Sequence, residues 1–270
     1  MPSVPDILGH SKAEIRRQSI EAAMVEPITE RLLRAAGVKP GMRVLDLGCG
    51  GGDSSMLAAE LVGLTGSVVG IDRSAEAVTV ARRRVRAVGH ANIEFRWDSA
   101  EEFYDPLPFD AVIGRYVLVH QADPERFLRA ATSHVKPGGI LAFHEAAMYG
   151  QLYCLPAVPL MQQVWDWMVA AYASLPHRDA PGRMIEHFQS ACLPQPVIFC
   201  ETPVGGGPDC SFYALAAYAL SSLLPQLEKI GVTTAAEVDV GTLCHRLRHA
   251  VTAVRAQVSF PMQVCGWTQC

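Results

Sequence analysis

A glycine-rich turn between two carboxylates is the stretch of this sequence whose residue types and spacing best fit ligand chemistry. The turn follows the order acid-x-Gly-x-Gly-x-Gly, with Asp46, Gly48, Gly50 and Gly52. Glycine permits the positive φ angles and the close backbone approach that a ligand resting on such a turn requires. Asp72 follows the turn by about twenty residues, the usual place for an acid that accepts hydrogen bonds from ribose hydroxyls. The spacing therefore predicts a site for a ligand that contains a ribose.

The same turn departs from the pattern of dinucleotide-binding proteins. A Gly-x-Gly-x-x-Gly fingerprint that begins at Gly48 requires a third glycine at position 53, where the sequence has Asp53. An anionic side chain at that position is also an unfavourable neighbour for a pyrophosphate. A nicotinamide-dependent dehydrogenase is therefore a disfavoured interpretation of the turn.

The turn lies within a strand–helix–strand unit. An apolar run at 42–47 leads into the turn, capping side chains at 53–55 precede a helix at 56–62, and a second strand at 67–71 ends in Asp72. Strands joined in this way run parallel with a right-handed crossover. Further helix and strand patterns alternate after the unit, at 75–87, 93–97, 109–114, 124–133 and 140–143. This alternation predicts an α/β fold.

A set of motifs, taken together, resembles the class I S-adenosylmethionine (SAM)-dependent methyltransferases. They are Val-Leu-Asp-Leu-Gly-Cys-Gly-Gly-Gly at 44–52, Gly-Ile-Asp at 70–72, Phe-Asp-Ala-Val at 109–112 and Val-Lys-Pro-Gly-Gly at 135–139. The pattern is similar to the small-molecule and natural-product branch, which includes quinone-biosynthesis methyltransferases. The resemblance implies a Rossmann-like, seven-stranded, mostly parallel sheet with helices on both faces and a helical lid. It also implies SAM as the cofactor, with no metal ion.

The resemblance further implies which residues hold the cofactor. The family places an acid at the end of the third strand against the adenine amino group, and Asp98 occupies that position, with Trp97 or Ala100 beside the ring. Arg115, after the fourth strand, is a candidate to hold the methionine carboxylate, and a contribution through its backbone carbonyl, which is common at this position in the family, is the alternative. Helix capping is the alternative role for Asp72 and Asp98. The full set of expected cofactor-binding residues is Asp46, Gly48, Gly50, Gly52, Asp72, Arg73, Asp98, Ser99, Arg115 and His120.

Two side chains at carboxyl ends of strands are candidate general bases. His120 follows the fourth strand and Glu145 ends the fifth. A base assists methyl transfer when the acceptor is a hydroxyl or amine that bears a proton, whereas an electron-rich aromatic carbon attacks before it loses one. A packed structural role is the alternative for His120. The sequence leaves oxygen, nitrogen and carbon acceptors open.

We expect one compact unit with four parts. These are an N-terminal helical cap at 1–36, a SAM-binding core at 37–145, a helical lid at 146–192, and a part at 193–270 that completes the sheet and adds further lid helices. In this last part the sequence predicts a loop at 204–208 and a closing strand at 258–267. The cap is expected to contain two helices, at about 11–20 and 27–36, with Glu14 and Arg17 either at the cofactor's methionine end or the substrate, or in a surface ion pair. The aromatic segment 152–173 is interpreted as the lid, with core-packing helices as the alternative.

Composition limits the partners. The net charge of −4 and the absence of a basic stripe disfavour nucleic acid, as does Gly114-Arg115-Tyr116-Val117 in place of the motif of base methyltransferases. Proline and polar residues interrupt 152–173, so no membrane span is expected. Eight scattered cysteines without a Cys-x-x-Cys pair or a signal peptide indicate free thiols in the cytoplasm. A small-molecule substrate fits best, and a homo-oligomer remains open. A SAM-binding cyclase or sensor without methyl transfer is the alternative function.

Overall fold

The computed structural model describes residues 12–149 and 152–270. The strands are β1 (Arg43–Leu47), β2 (Ser67–Asp72), β3 (Ile93–Trp97), β4 (Phe109–Arg115), β5 (Val135–Ala146), β6 (Cys154–Leu155), β7 (Val197–Glu201), β8 (Val204–Gly206), β9 (Gln257–Ser259) and β10 (Gln263–Gln269). The helices are α1 (Lys12–Ala36), α2 (Asp53–Val62), α3 (Ala75–Val88), α4 (Pro124–Ser133), α5 (Pro159–Tyr172), α6 (Met184–Ser190), α7 (Phe212–Lys229), α8 (Ala235–Val238) and α9 (Val240–Ala253).

The main sheet has seven strands in the order β3-β2-β1-β4-β5-β10-β7. β1 pairs in parallel with β2 on one side and with β4 on the other, and β5 continues the parallel pairing beyond β4. β10 runs antiparallel to both of its neighbours, β5 and β7. The expected seven-stranded, mostly parallel, Rossmann-like sheet is therefore confirmed. Because the chain leaves β1 towards β2 and later returns to pair β4 on the other side, a crevice forms at the carboxyl ends of these strands.

Both faces of the sheet are buried. Successive residues of a strand point to opposite faces, so Val44 packs with α1 and α2 in one apolar cluster while Leu45 packs in the other. The same alternation separates Ala111 from Val112 on β4. Strands covered on both faces read as continuous apolar runs, which is why the sequence pattern located them.

The N-terminal cap is one helix in the described residues, so the prediction of two helices was wrong. α1 continues through Pro27, although proline removes one hydrogen bond within a helix. Ala22, Val25 and Leu32 are all buried, at positions that share one face of the helix. This packing outweighs the local effect of proline. The expected cap residue Ser11 lies outside the described residues, as does the side chain of Glu14.

The predicted closing strand at 258–267 is divided in the structure. β9 ends at Ser259 and pairs with β6 and β8 in a separate three-stranded sheet, and β10 begins at Gln263 in the main sheet. Pro261 lies between them, and its missing N–H cannot take part in a ladder. The glycine-rich segment predicted as a loop at 204–208 supplies β8 to this second sheet.

Candidate active site

The glycine turn combines tight packing with one open side. Gly48, Gly50 and Gly52 have φ angles of 69°, 51° and 87°. A Cβ on Gly48 would approach Val117 to 2.5 Å and one on Gly52 would approach Phe95 to 2.8 Å, whereas a Cβ on Gly50 would meet nothing within 4 Å. Two of the glycines are thus required by packing against β3 and the segment after β4, while Gly50 borders open space.

Asp72 fixes this turn from the end of β2. Its Oδ2 accepts a hydrogen bond from the Gly50 amide at 2.9 Å, and its Oδ1 accepts one from the Ser74 amide at 2.8 Å. The side chain of Ser74 caps α3. The helix-capping role considered as the alternative for Asp72 is therefore performed by Ser74. Each carboxylate oxygen keeps further acceptor capacity. Asp72 also lines the cavity described next, where it can accept bonds from ligand hydroxyls.

A cavity of about 330 Å³ lies at the carboxyl ends of the parallel strands. It brings together eight of the expected site residues, namely Gly48, Gly50, Asp72, Arg73, Asp98, Ser99, Arg115 and His120. Ala100 lines the cavity as expected for a residue beside the adenine ring. Trp97 does not, since it is 69% exposed and donates its indole N–H to the Arg73 carbonyl. Asp46, Gly52 and Glu145 lie behind the cavity wall.

Asp46 is fully buried beneath the glycine turn. Its Oδ2 accepts a hydrogen bond from the Ser55 hydroxyl at 2.5 Å, while its Oδ1 has no partner among the described residues. Burial raises the pKa of this carboxyl to about 7, against the opposing effects of Ser55 and the Arg115 charge. Asp46 does not line the cavity and therefore supports the turn from behind, through its hydrogen bond to Ser55 of α2.

Glu145 is also fully buried, and it holds the turn that precedes His120. Its Oε1 accepts hydrogen bonds from the amides of Val117 and Leu118, each at 2.9 Å. Its Oε2 has no partner among the residues described, and burial raises its pKa to about 7. The role of Glu145 as a general base stays a prediction, and its place behind the wall separates it from a substrate in the cavity.

Tyr116 adopts a left-handed backbone conformation, with φ of 57°, at the end of β4. Its hydroxyl donates to the Gln263 side-chain oxygen at 2.6 Å, and the Gln263 amide nitrogen donates to the Pro261 carbonyl. Burial lowers the pKa of His144 to about 3, so its ring is neutral. Because Gln263 presents its oxygen, His144 donates from Nε2 to it and accepts at Nδ1 from Thr29. This network joins α1 and β10 to the cavity wall.

His120 lies in the cavity lining on the side of β4. This residue closes the 3₁₀ turn Leu118–His120 and is half-buried. The lining of the same cavity includes the apolar and aromatic side chains of Phe127, Met148 and Tyr172. Trp165 and Trp167 of the aromatic segment are instead buried in the core. The structure thus brings one aromatic side chain of α5 to the cavity and assigns both tryptophans to packing.

α1 contributes an ion pair that sequence reasoning identified only in part. Arg17 donates to Glu21 at 2.8 Å, the two side chains are 9% and 14% exposed, and both line the cavity. Arg17 was expected either near the cofactor or on the surface, whereas Glu21 was missed. The available signal was its position four residues after Arg17, which places both on one helix face.

Clusters of metal ligands and membrane-spanning helices are both absent from the part of the chain that is described. No group of three or more His, Cys, Asp or Glu side chains there is arranged to hold a metal ion. No helix within residues 12–149 or 152–270 has the length and apolar content needed to cross a membrane.

Comparison with known proteins agrees with this architecture. A family model described as a methyltransferase domain matches residues 38–181. Over 150 residues the chain is 35% identical to 2-phytyl-1,4-naphtoquinone methyltransferase of Synechococcus elongatus, covering 52% of this chain and 60% of that protein. Over 109 residues it is 38% identical to ubiquinone biosynthesis O-methyltransferase of Chelativorans sp., covering 40% and 42%. The chain therefore spans about half the length of the curated relatives it matches.

A solved structure shows the same fold over most of the chain. The YcgJ protein of Bacillus subtilis superposes with a TM-score of 0.56 at 15% identity, covering 91% of this chain and 99% of that one. The match of the family model extends over more than half of the sequence, from just before β1 to just before α6. The SAM-dependent methyltransferase resemblance predicted from the motifs is confirmed, and the chain belongs to the methyltransferase-domain family.

Proposed function

We propose that this protein transfers a methyl group from SAM to a small aromatic or apolar metabolite. The observation that carries the proposal is a cavity whose lining combines two kinds of group. Towards β2 and β3 it has the carboxylates of Asp72 and Asp98 beside the glycine turn, and towards β4 and β5 it has His120 together with Phe127 and Met148. We call these the cofactor end and the acceptor end. A cofactor and an acceptor bound there would adjoin each other, and holding reactants adjacent is the main requirement of a displacement reaction.

The cofactor end has groups for each part of SAM. Asp72 would accept hydrogen bonds from the ribose hydroxyls, and Asp98 with Ser99 would bind the adenine edge. Arg115 and Arg17 would hold the carboxylate of the methionine part. When bound, SAM supplies an electrophilic methyl group on a sulfonium.

The acceptor end orients a flat, apolar molecule. Phe127, Met148 and Tyr172 would exclude water from one side and provide apolar contact. His120, a histidine of the cavity lining, would remove a proton from a hydroxyl or amine acceptor. For a carbon acceptor, the same aromatic wall would steady the cation that forms before proton loss.

The finer parts of the proposal have separate supports. The motif resemblance supports a role in natural-product biosynthesis, and the curated relatives support a small-molecule acceptor. We also propose the reducing cytoplasm as the location, because all eight cysteines are free thiols. The lid role of 146–192 remains a proposal supported by Tyr172 at the cavity. The family match gives no support to a nicotinamide-dependent dehydrogenase.

The experiment that tests the function is a turnover assay. The protein is incubated with SAM labelled at the methyl group and with panels of phenols, indoles and amines. We expect label to enter at least one class, and the atom that receives it identifies O, N or C transfer. SAM binding without label transfer to any panel would contradict methyl transfer and favour the cyclase or sensor function.

A further inference from the structure

Asp53 stands where a dinucleotide-binding fingerprint has its third glycine. Its side chain forms an ion pair with Arg84 of a neighbouring helix. Asp53 is the first residue of α2, and Arg84 lies on α3. The guanidinium donates two hydrogen bonds, from Nη1 to Oδ2 at 2.8 Å and from Nη2 to Oδ1 at 2.6 Å. The side chains are 15% and 26% exposed. This two-bond geometry in a partly enclosed place is stronger than a typical surface ion pair.

Arg84 makes a third bond, and this one reaches the glycine turn itself. Its Nη1 donates to the carbonyl oxygen of Gly51 at 2.6 Å. The Gly50 amide is held from the other side by Asp72. Gly50 is thus hydrogen-bonded to Asp72 at the end of β2, and Gly51 is hydrogen-bonded to Arg84 of α3. Asp53 fixes the guanidinium that makes the second of these bonds.

These hydrogen bonds matter because the turn consists mostly of glycine. Residues 48 and 50–52 are all glycine, and glycine loses more conformational freedom on ordering than any other residue. Fixing the backbone of one residue costs roughly 1–2 kcal/mol. If the turn were mobile before binding, this cost would reduce cofactor affinity. A turn that is already ordered by the protein presents its backbone to the ligand without that loss.

We propose that Arg84, held by Asp53, is a positioning residue that orders the glycine turn for the cofactor. The inference rests on the proposed function, since it concerns the same cavity. Arg84 does not line that cavity and acts through the Gly51 carbonyl. A surface ion pair without influence on the cofactor is the competing explanation, and the two differ in their effect on binding.

The test compares binding of SAM and of its product S-adenosylhomocysteine by calorimetry. Arg84→Ala should weaken both ligands by about tenfold, the equivalent of one to two lost hydrogen bonds. The factor should be the same for both, because ordering of the turn does not depend on the ligand's charge. Arg84→Lys should recover little, since a lysine cannot form the fork. Arg83→Ala is the matched control, as it removes an exposed arginine from the same helix.

Two results would overturn the inference. One is unchanged affinity in a folded Arg84→Ala variant. The other is tighter binding of SAM with unchanged affinity for S-adenosylhomocysteine, because the only effect would then be the attraction of the unpaired Asp53 charge for the sulfonium. If Arg84→Ala does not fold, Asp53→Asn replaces it, since it keeps the shape of the side chain while removing its charge. That variant should lose severalfold affinity for both ligands, and unchanged binding would again refute the proposal.

A second readout needs no cofactor and separates this inference from the proposed function. Amide hydrogen exchange at residues 50–52 is measured in the ligand-free protein. Exchange should be faster in Arg84→Ala than in the unsubstituted protein and unchanged in Arg83→Ala. Equal exchange in all three would contradict the ordering role. If the unsubstituted protein binds neither ligand, the proposed function fails, while the exchange result still decides whether Arg84 orders the turn.

Discussion

Asp72 links the chemistry of the cavity to the shape of the glycine turn. It accepts the Gly50 and Ser74 amides and at the same time faces the cavity. We therefore expect Asp72→Ala to weaken SAM binding by one to two orders of magnitude, through loss of charge-assisted bonds to the ligand and of the tie to the turn. Calorimetric titration measures the change.

Glu102→Ala provides the control for that substitution. Glu102 is an exposed carboxylate outside the cavity lining, so its removal changes a similar amount of charge without touching the site. Its affinity for SAM should match that of the unsubstituted protein. Equal affinity for SAM in Asp72→Ala and in this control would contradict the role of Asp72 in binding the ribose.

His120 is predicted to affect turnover far more than cofactor affinity. A positioned general base contributes roughly 10²–10⁴-fold to proton transfer. His120→Ala should therefore lower kcat by about that range for a hydroxyl or amine acceptor, with SAM affinity changed only a few-fold. The measurement is steady-state kinetics with any acceptor found in the turnover assay. His249→Ala removes an exposed histidine of α9 and should leave the rate unchanged. A rate unaffected by His120→Ala would mean that His120 has a structural role and is not a general base.

The sequence predicted the cavity residues that follow strands more completely than those that come from helices. Gly50, Asp72 and Asp98 end or follow strands of a recognisable motif, so their meeting point is fixed by parallel pairing. Glu21 and Tyr172 reach the cavity through the packing of α1 and α5, which depends on contacts between residues distant in sequence. No local pattern encodes such contacts. Glu21 was therefore missed, and Tyr172 belonged to a segment with two interpretations, a lid or core-packing helices.

At the scale of elements, the segment between β4 and α4 depends on Glu145. The buried carboxyl receives the Val117 and Leu118 amides, and burial raises its pKa from the ordinary 4.5 to about 7. The folded protein therefore keeps a proton that the unfolded chain releases. This contribution to stability is fully present below pH 4.5 and is lost as pH rises through 7.

Glu145→Gln removes this dependence while keeping an oxygen acceptor. Between pH 4.5 and 8, the unfolding free energy of the unsubstituted protein should fall relative to the variant by roughly 3 kcal/mol, from 1.36 kcal/mol per unit of pKa shift. Asp46 and His144 also titrate abnormally, but they are present in both proteins and cancel in the difference. Denaturant titrations at several pH values measure it. A pH-independent difference, as expected for Glu102→Gln, would contradict the raised pKa.

Element boundaries show where local sequence signals end. The strands of the main sheet were predictable because apolar runs bounded by glycine and polar residues mark buried strands. The continuity of α1 was not, since proline signals a break and only its buried face on the sheet overrides that signal. The division between β9 and β10 had a local signal in Pro261, but the second sheet arises from pairing with the distant β6 and β8.

At the scale of the molecule, elements outside the family match at 38–181 support the cavity. The Thr29–His144–Gln263 network ties α1 and β10 to Tyr116 of the cavity lining. α1 also contributes two residues to the lining itself, Arg17 and Glu21, whereas Phe127, Met148 and Tyr172 come from the matched segment. The motifs predict the residues that follow the strands, but no motif in the sequence specified how α1 and β10 pack against them.

Cofactor binding should therefore stabilise the whole molecule. A ligand that binds the folded state at about one hundred times its Kd adds about 2.7 kcal/mol. For a chain of this size, that should raise Tm by roughly 5–10 °C. Thermal melts with and without SAM measure the shift, and Asp72→Ala should show little of it at the same SAM concentration. An equal shift in both proteins would place the ligand elsewhere.

The most direct test of the central claim is a calorimetric titration of SAM into the unsubstituted protein, with NADH titrated in parallel. We predict one SAM site with a Kd in the micromolar range and no NADH binding, because the turn has Asp53 in place of the third dinucleotide glycine. Circular dichroism establishes that the sample is folded. A folded protein that binds NADH, or that binds no SAM with or without an acceptor present, would contradict the assignment of this cavity to SAM.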